Sequence, residues 1–243
     1  MPADVALWLW LGLVGPVAGS FVAAMADRLC SGRSPVAPSA CAGCGQRLAW
    51  RDMVPILSWL ALRGRCRSCK GPIPRRLLLA EVAGLAAAVA AIGLGGGPVG
   101  SVALAVWLWA LIGLALADIR CLRLPDPMTA TLFAAGLVIG SLTFGWMTAL
   151  LTGLGAAAVL WALAAAYRSL RGRPGLGLGD VKMIAGIGAA LGPLALPWVT
   201  LVAAALAIAG AALRRSAPGG AQPFGAALAV AAALVLAGVR LGG

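Results

Sequence analysis

The 243-residue chain contains no histidine. That absence removes serine–histidine and cysteine–histidine nucleophile systems and any histidine-ligated catalytic metal. Acidic residues are scarce, seven against nineteen lysines and arginines, for a formal net charge of +12. What remains most naturally for hydrolysis is carboxylate chemistry, in which two groups sharing one proton act as base toward water and as acid toward a leaving amide nitrogen. Charged residues of both signs make up only 11% of the chain, whereas hydrophobic residues make up 62% and the mean hydropathy is +0.99. An ordinary soluble domain is about 45–50% apolar. The expected class is an all-α polytopic membrane protein.

Eight apolar runs approach the roughly 20 residues that a helix needs to cross hydrocarbon. They cover approximately Val5 to Met25, Leu77 to Leu94, Val99 to Ala117, Met128 to Phe144, Met147 to Tyr167, Val181 to Leu194, Leu196 to Leu213 and Phe224 to Val239, the fourth and sixth being short. Basic residues concentrate between alternate runs. Ten of the nineteen lie in 27–76, followed by Arg120 and Arg123, then Arg168, Arg171 and Arg173 with Lys182 just beyond, then Arg214 and Arg215; Arg240 stands alone on the other side. Lysine and arginine favour short cytoplasmic segments, so eight spans with both termini outside are expected. This topology puts Asp118, Asp126 and Asp180 at cytoplasmic helix ends. A basic face toward anionic membrane lipid then explains the net charge more economically than nucleic acid does. The opening Met1-Pro2-Ala3-Asp4 holds no basic residue, so the first run is expected as a retained helix and not a cleaved signal peptide. The expected organisation is a first helix in 1–26, a polar cytoplasmic domain in 27–76 and a membrane-embedded region in 77–243.

Within the polar segment, Cys41-Ala42-Gly43-Cys44 and Cys66-Arg67-Ser68-Cys69 form two CxxC pairs separated by 21 residues. Four thiolates at such spacing close a tetrahedral structural Zn²⁺ site. Two disulfides or four free thiols are the other readings, and a cytoplasmic location opposes stable disulfides. A segment this poor in apolar side chains also needs a staple to fold. Cys30 and Cys121 fit no ligand spacing and are expected as ordinary thiols.

Asp118 and Asp180 each border an apolar run, and ionisable groups at membrane depth are costly enough to read first as functional. Asp118 lies at the C-terminal end of its expected helix and Asp180 at the N-terminal end of the next but two, which predicts Asp180 to be the more readily ionised. The stretch Gly177-Leu178-Gly179-Asp180-Val181-Lys182 places glycines beside the second aspartate.

These motifs together resemble the type IV prepilin peptidases, the membrane-embedded aspartic proteases with a GxGD motif. The matching stretches are Gly19-Ser20-Phe21, the two CxxC pairs, Asp52 to Ser58, Leu62 to Cys66, Arg76, Glu81, Asp118 to Asp126 and Gly177 to Lys182. The chain departs from the family pattern at Ala42, Met53 and Leu77-Leu78. The resemblance implies that Asp118 and Asp180 are the catalytic pair and that the active site faces the cytoplasm from a bacterial inner membrane. It implies as substrates type IV prepilins or secretion pseudopilins, whose short basic leader is cut from an apolar helix after a glycine. For many relatives it implies a second activity, methylation of the new N-terminus by S-adenosylmethionine.

Gly177 and Gly179 are expected to permit special backbone shapes and close approach of an extended substrate. Asp52 and Glu81 are candidates for binding the leader or S-adenosylmethionine, against simple pairing with Arg51 or Arg76. Lys182 either tunes Asp180 or snorkels to headgroups. Asp126, between two prolines, is expected to cap the following helix, a direct catalytic part being the alternative. Tryptophans including Trp8, Trp10, Trp59, Trp107, Trp109 and Trp198 are expected as interfacial anchors, and Gly188 and Gly192 as helix-packing residues. Other classes stay open: a protein that chiefly methylates, or a transporter or zinc-regulated scaffold using the same acids.

Overall fold

A computed structural model describes residues 2–34, 37–172, 175–213 and 222–242, with side chains from Val5 onward. Arg173, Arg214 and Arg215, counted above among the loop cations, lie outside the described residues. The helices are α1 (Pro2–Cys30), α2 (Leu57–Ala61), α3 (Arg75–Leu94), α4 (Pro98–Cys121), α5 (Asp126–Phe144), α6 (Trp146–Arg171), α7 (Leu178–Leu191), α8 (Leu196–Leu213) and α9 (Phe224–Leu241). Among the described residues there is no strand, only two isolated bridges in the segment between α1 and α3.

Seven of these helices are long and apolar enough to cross a membrane, which makes the chain a multi-pass membrane protein. The sixth expected span is the exception. Its helix, α7, has 14 residues, about 21 Å at 1.5 Å per residue, short of the ~30 Å hydrocarbon thickness. Gly177 precedes it and Gly192, with φ +77°, ends it ahead of Pro193, so glycine and proline cut the apolar run at both ends.

Lipid tails are as apolar as leucine, so helices in a membrane associate mainly through close packing of small residues. Here α4 sits centrally against α1, α3, α5 and α9, while α7 is held by α5, α6 and α9. The α1–α3 crossing is close enough that a Cβ on Gly19 would lie 2.1 Å from the Ala80 carbonyl oxygen, and one on Gly84 would lie 2.3 Å from that of Gly15. Gly188 packs against Ala156 and Thr152 of α6, which is the helix-packing role expected for it.

Two tryptophans depart from expectation. Trp107 and Trp109 are buried on α4, where their Nε1 groups donate to the carbonyls of Gly186 (3.2 Å) and Gly84 (2.9 Å). A buried indole needs such a partner, so these two side chains tie α4 to α7 and α3 and are not interfacial anchors. Trp8, Trp10 and Trp198 are exposed.

The ends of α1 and α4 converge with the start of α3. Asp27 accepts hydrogen bonds from Arg76 (3.0 Å) and from Arg120, joining α1, α3 and α4 through one carboxylate. Three residues beyond Asp27, the sulfurs of Cys30 and Cys121 stand at disulfide distance, which corrects the expectation of two unrelated thiols. Their 91-residue separation matches no local pattern; packing of α1 along α4 brings them together. At the opposite end of the bundle Arg240 donates to Thr143 (3.3 Å).

The α1–α3 crossing should be sensitive to volume. Gly84→Val is expected to lower the melting temperature in detergent by several degrees, an overpacking cost of about 1–3 kcal/mol. Gly93→Ala, on the same helix with open space around it, should not. Equal melting temperatures for the parent and Gly84→Val would show that the crossing is looser than described.

Candidate active site and metal centre

Asp118 and Asp180, 62 positions apart, line one cavity of about 530 Å³ where the ends of α1 and α4 meet the starts of α5 and α7. Both carboxylates are buried, Asp118 being 5% and Asp180 9% exposed. Asp118, in the last turn of α4, accepts a hydrogen bond at Oδ2 from the backbone N–H of Ala226 (2.9 Å). That amide lies in the first turn of α9, where backbone donors have no partner within the helix. Asp180 stands in the first turn of α7, and its N–H donates to Gly177 O (3.2 Å). Both aspartates stand at the helix ends expected for them, and Asp118 in addition faces the N-terminus of α9, which narrows the electrostatic distinction drawn from their own helices.

Leu124 packs between these segments. A Cβ on Gly179 would lie 2.8 Å from Leu124 Cβ, and one on Gly225 would lie 3.1 Å from both Leu124 and Asp118 Oδ2. Gly179 is needed for close approach, whereas a Cβ on Gly177 would make only ordinary contact, 3.4 Å from Asp180 Oδ2; neither serves backbone freedom, since neither has a positive φ. This corrects half of the role expected for them. What Gly179 admits in the structure is Leu124. The chain leaves α4 through Leu122 in the left-handed region (φ +52°), its N–H returning to Asp118 O (2.9 Å).

Lys182 points to Asp126 at 2.6 Å, and both side chains are more than half exposed at the same cavity. Asp126 is itself the first residue of α5, whose N-cap is Pro125 with no side-chain cap. It does not cap the helix as expected. A proline at the cap position leaves the carboxylate free to pair across to α7.

Asp52 and Glu81 are not among the residues lining this cavity. Asp52 accepts from Arg67 through Nη2 (2.7 Å) and Nε (2.8 Å), a hydrogen bond that holds its carboxyl below the usual range. Glu81 is buried in α3, accepting from Ser20 Oγ (2.9 Å) and from the Ile56 N–H (2.7 Å). Neither pairs with Arg51 or Arg76. Sequence reasoning missed Asp27, Leu124 and Ala226, of which only Asp27, one of seven acids, carried any compositional signal.

The four cysteines do come together. The Sγ atoms of Cys41, Cys44, Cys66 and Cys69 all lie within 4.8 Å of one another, and those of Cys41 and Cys69 are 3.8 Å apart. Metal–sulfur bonds of about 2.3 Å in a tetrahedron require edges of about 3.8 Å. The two arms are built alike. Cys41 N–H donates to Gln46 O and Gly45 N–H to Cys41 O, while Cys66 N–H donates to Gly71 O and Lys70 N–H to Cys66 O. Each arm passes through the left-handed region after its second cysteine, at Gly45 (φ +70°) and Lys70 (φ +58°). Hydrogen bonds from the Cys44 and Gly43 amides pull the Cys41 thiol down to about 6, toward the thiolate that a metal binds. The donor set, spacing and backbone support fit a metal ion.

Comparison with known proteins bears on both halves of the chain. Residues 13–93 match the family model of the bacterial peptidase A24 N-terminal domain, and residues 104–213 match that of the type IV leader peptidase family. Proteins named prepilin leader peptidase/N-methyltransferase are similar. The one from Burkholderia pseudomallei (strain 1026b) is 42% identical over 178 residues, 72% of this chain and 56% of that protein. The one from Aeromonas hydrophila is 36% identical over 206 residues, 82% of this chain and 70% of that protein. The one from Stutzerimonas stutzeri is 32% identical over 202 residues, covering 79% and 69%. The match thus spans little more than half the length of the Burkholderia relative. No solved structure matches the chain.

If the four thiols form one centre, the purified protein should carry a single tightly held metal ion per chain by elemental mass spectrometry. Cys66→Ser, at the buried ligand, should lose it and become open to proteolysis within 37–73. A variant that keeps a full complement of metal would contradict a four-thiolate centre.

Proposed function

Because the chain belongs to the type IV leader peptidase family, we propose that it is a membrane aspartic endopeptidase that removes the basic leader from type IV prepilin or pseudopilin precursors. The observation that carries this reading is the convergence of two buried carboxylates, Asp118 and Asp180, on one cavity at the end of a membrane-spanning bundle. An extended substrate strand lies in the cavity. One aspartate of the pair takes a proton from water as the oxygen attacks the scissile carbonyl, and the other gives a proton to the departing amide nitrogen. The pair shares one proton at rest and titrates as a unit. Gly177 leaves the strand room beside Asp180, while Leu124 fills the space beside Gly179. The basic residues gathered at this end, among them Arg76, Arg120 and Lys182, support a site that faces the cytoplasm from a bacterial inner membrane. In the same reading they contact anionic lipid, and nucleic acid is no partner.

Residues 27–76 act as a zinc-stapled domain between the first helix and the peptidase region of 77–243. Zn²⁺ held by Cys41, Cys44, Cys66 and Cys69 supplies folding stability and no chemistry at the aspartates. Methyl transfer from S-adenosylmethionine to the new N-terminus belongs to the same reading and is supported by the names of the relatives. The carboxylates first considered for that cofactor, Asp52 and Glu81, are already engaged by Arg67 and by Ser20 and Ile56. No step is assigned to them.

Purified protein in lipid, incubated with a pilin precursor and S-adenosylmethionine, should yield a product that has lost its leader and gained a single methyl group by mass spectrometry. An uncut precursor beside folded, metal-loaded protein would defeat the peptidase reading, and ion flux through the same vesicles would favour a transporter.

A further inference from the structure

Resting on the peptidase reading, we propose that Asp126 binds a cationic side chain of the leader, which takes the place now held by the Lys182 ammonium. A basic leader entering a basic protein needs a carboxylate. Among the described side chains, the others are committed. Asp27 sits between the guanidinium groups of Arg76 and Arg120. Asp52 receives two hydrogen bonds from Arg67 and is 10% exposed. Glu81 is buried with both oxygens engaged. Asp118 and Asp180 are buried in the cavity itself. Asp126 is different, with its side chain 75% exposed and its single cationic partner 52% exposed.

Its position suits the task. Asp126 lines the same cavity as the two buried aspartates, so a bound cation there lies beside the strand to be cut. Prolines at 125 and 127 fix its backbone, and Thr129 Oγ1 donates to its carbonyl (3.0 Å). The N-terminal end of α5 further favours an anion there. Exposed ion pairs contribute little net stability, because water competes for both partners. Exchange of the Lys182 ammonium for an incoming lysine or arginine therefore costs little, whereas recruiting Glu81 would strip part-buried hydrogen bonds and recruiting Asp27 would have to displace two guanidinium groups at once. Lys182 and Arg123 also line the cavity and repel a leader cation that fails to reach Asp126. The pair thus acts as an internal competitor that a basic leader displaces and a neutral one does not.

The test compares three precursors, identical except that the leader's basic residues are native, changed to Gln, or changed to Glu. The parent should favour the native leader over the Gln leader about fivefold in KM, the most that an exposed ion pair gives, with kcat little different. In Asp126→Asn that ratio should fall to about one, and Asp126→Glu should keep it. Asp126→Lys should prefer the Glu leader, and Lys182→Gln should lower KM for the native one. Retention of the parent's ratio by Asp126→Asn, or no gain for the Glu leader with Asp126→Lys, would overturn the assignment, as would an effect confined to kcat. A parent that cuts native and Gln leaders with equal KM would sink this proposal alone, while a parent that cuts none of the three would sink the peptidase reading with it.

Discussion

A single hydrogen bond, from the Ala226 amide at the start of α9 to Asp118 at the end of α4, joins residues 108 positions apart. It resolves two difficulties at once. A carboxylate near membrane depth is costly unless a donor meets it, and a helix N-terminus presents amides that its own turns cannot satisfy. Each group is the other's remedy. With α9 anchored in this way, Gly225 meets Leu124, Leu124 meets Gly179, and the first turn of α7 is held against the same cavity. The shortness of α7 then has a purpose in the architecture: it starts at the cavity, carries Asp180 in its first turn, and stops at Gly192.

The four-cysteine segment is joined to this bundle through polar contacts. Glu81, inside α3, takes Ser20 of α1 on one oxygen and the Ile56 amide of the loop on the other. Ile56 holds a positive φ of 62°, uncommon for a β-branched residue and costly unless the surroundings enforce it; the buried Glu81 carboxylate supplies that enforcement. Asp27 does the same for the helix ends, with Arg76 and Arg120 converging on it, and the paired sulfurs of Cys30 and Cys121 lie one turn further along α1. The scarce acids therefore serve as joints, and this is why so few of them suffice.

Much of this was legible in the sequence where the signal is local. Apolar runs marked the long helices, because hydrocarbon thickness imposes a length that composition alone reveals. The CxxC pairs announced their cluster, because ligand spacing is written along the chain. Asp118 and Asp180 stood out because acids beside apolar runs are rare. What stayed hidden depends on neighbours distant in sequence. Nothing in an Ala-rich run distinguishes the amide of Ala226, and nothing at Cys30 points to Cys121. Trp107 and Trp109 look like any tryptophans in an apolar helix until the carbonyls of Gly186 and Gly84 appear opposite them. Asp126 had a local signal, its flanking prolines, which favoured a cap; the cation that holds it comes from another helix.

The central claim is that Asp118 and Asp180 act as one group. The most direct measurement compares precursor cleavage by Asp118→Asn, Asp180→Asn and the double variant, each checked for folding and metal content. Acting as a unit, each single variant should lose at least about a hundredfold in kcat/KM, and the double variant should be no worse than either. If the losses multiply in the double variant, or if one single variant keeps the parent's rate, the two carboxylates work independently and the account of a shared site fails.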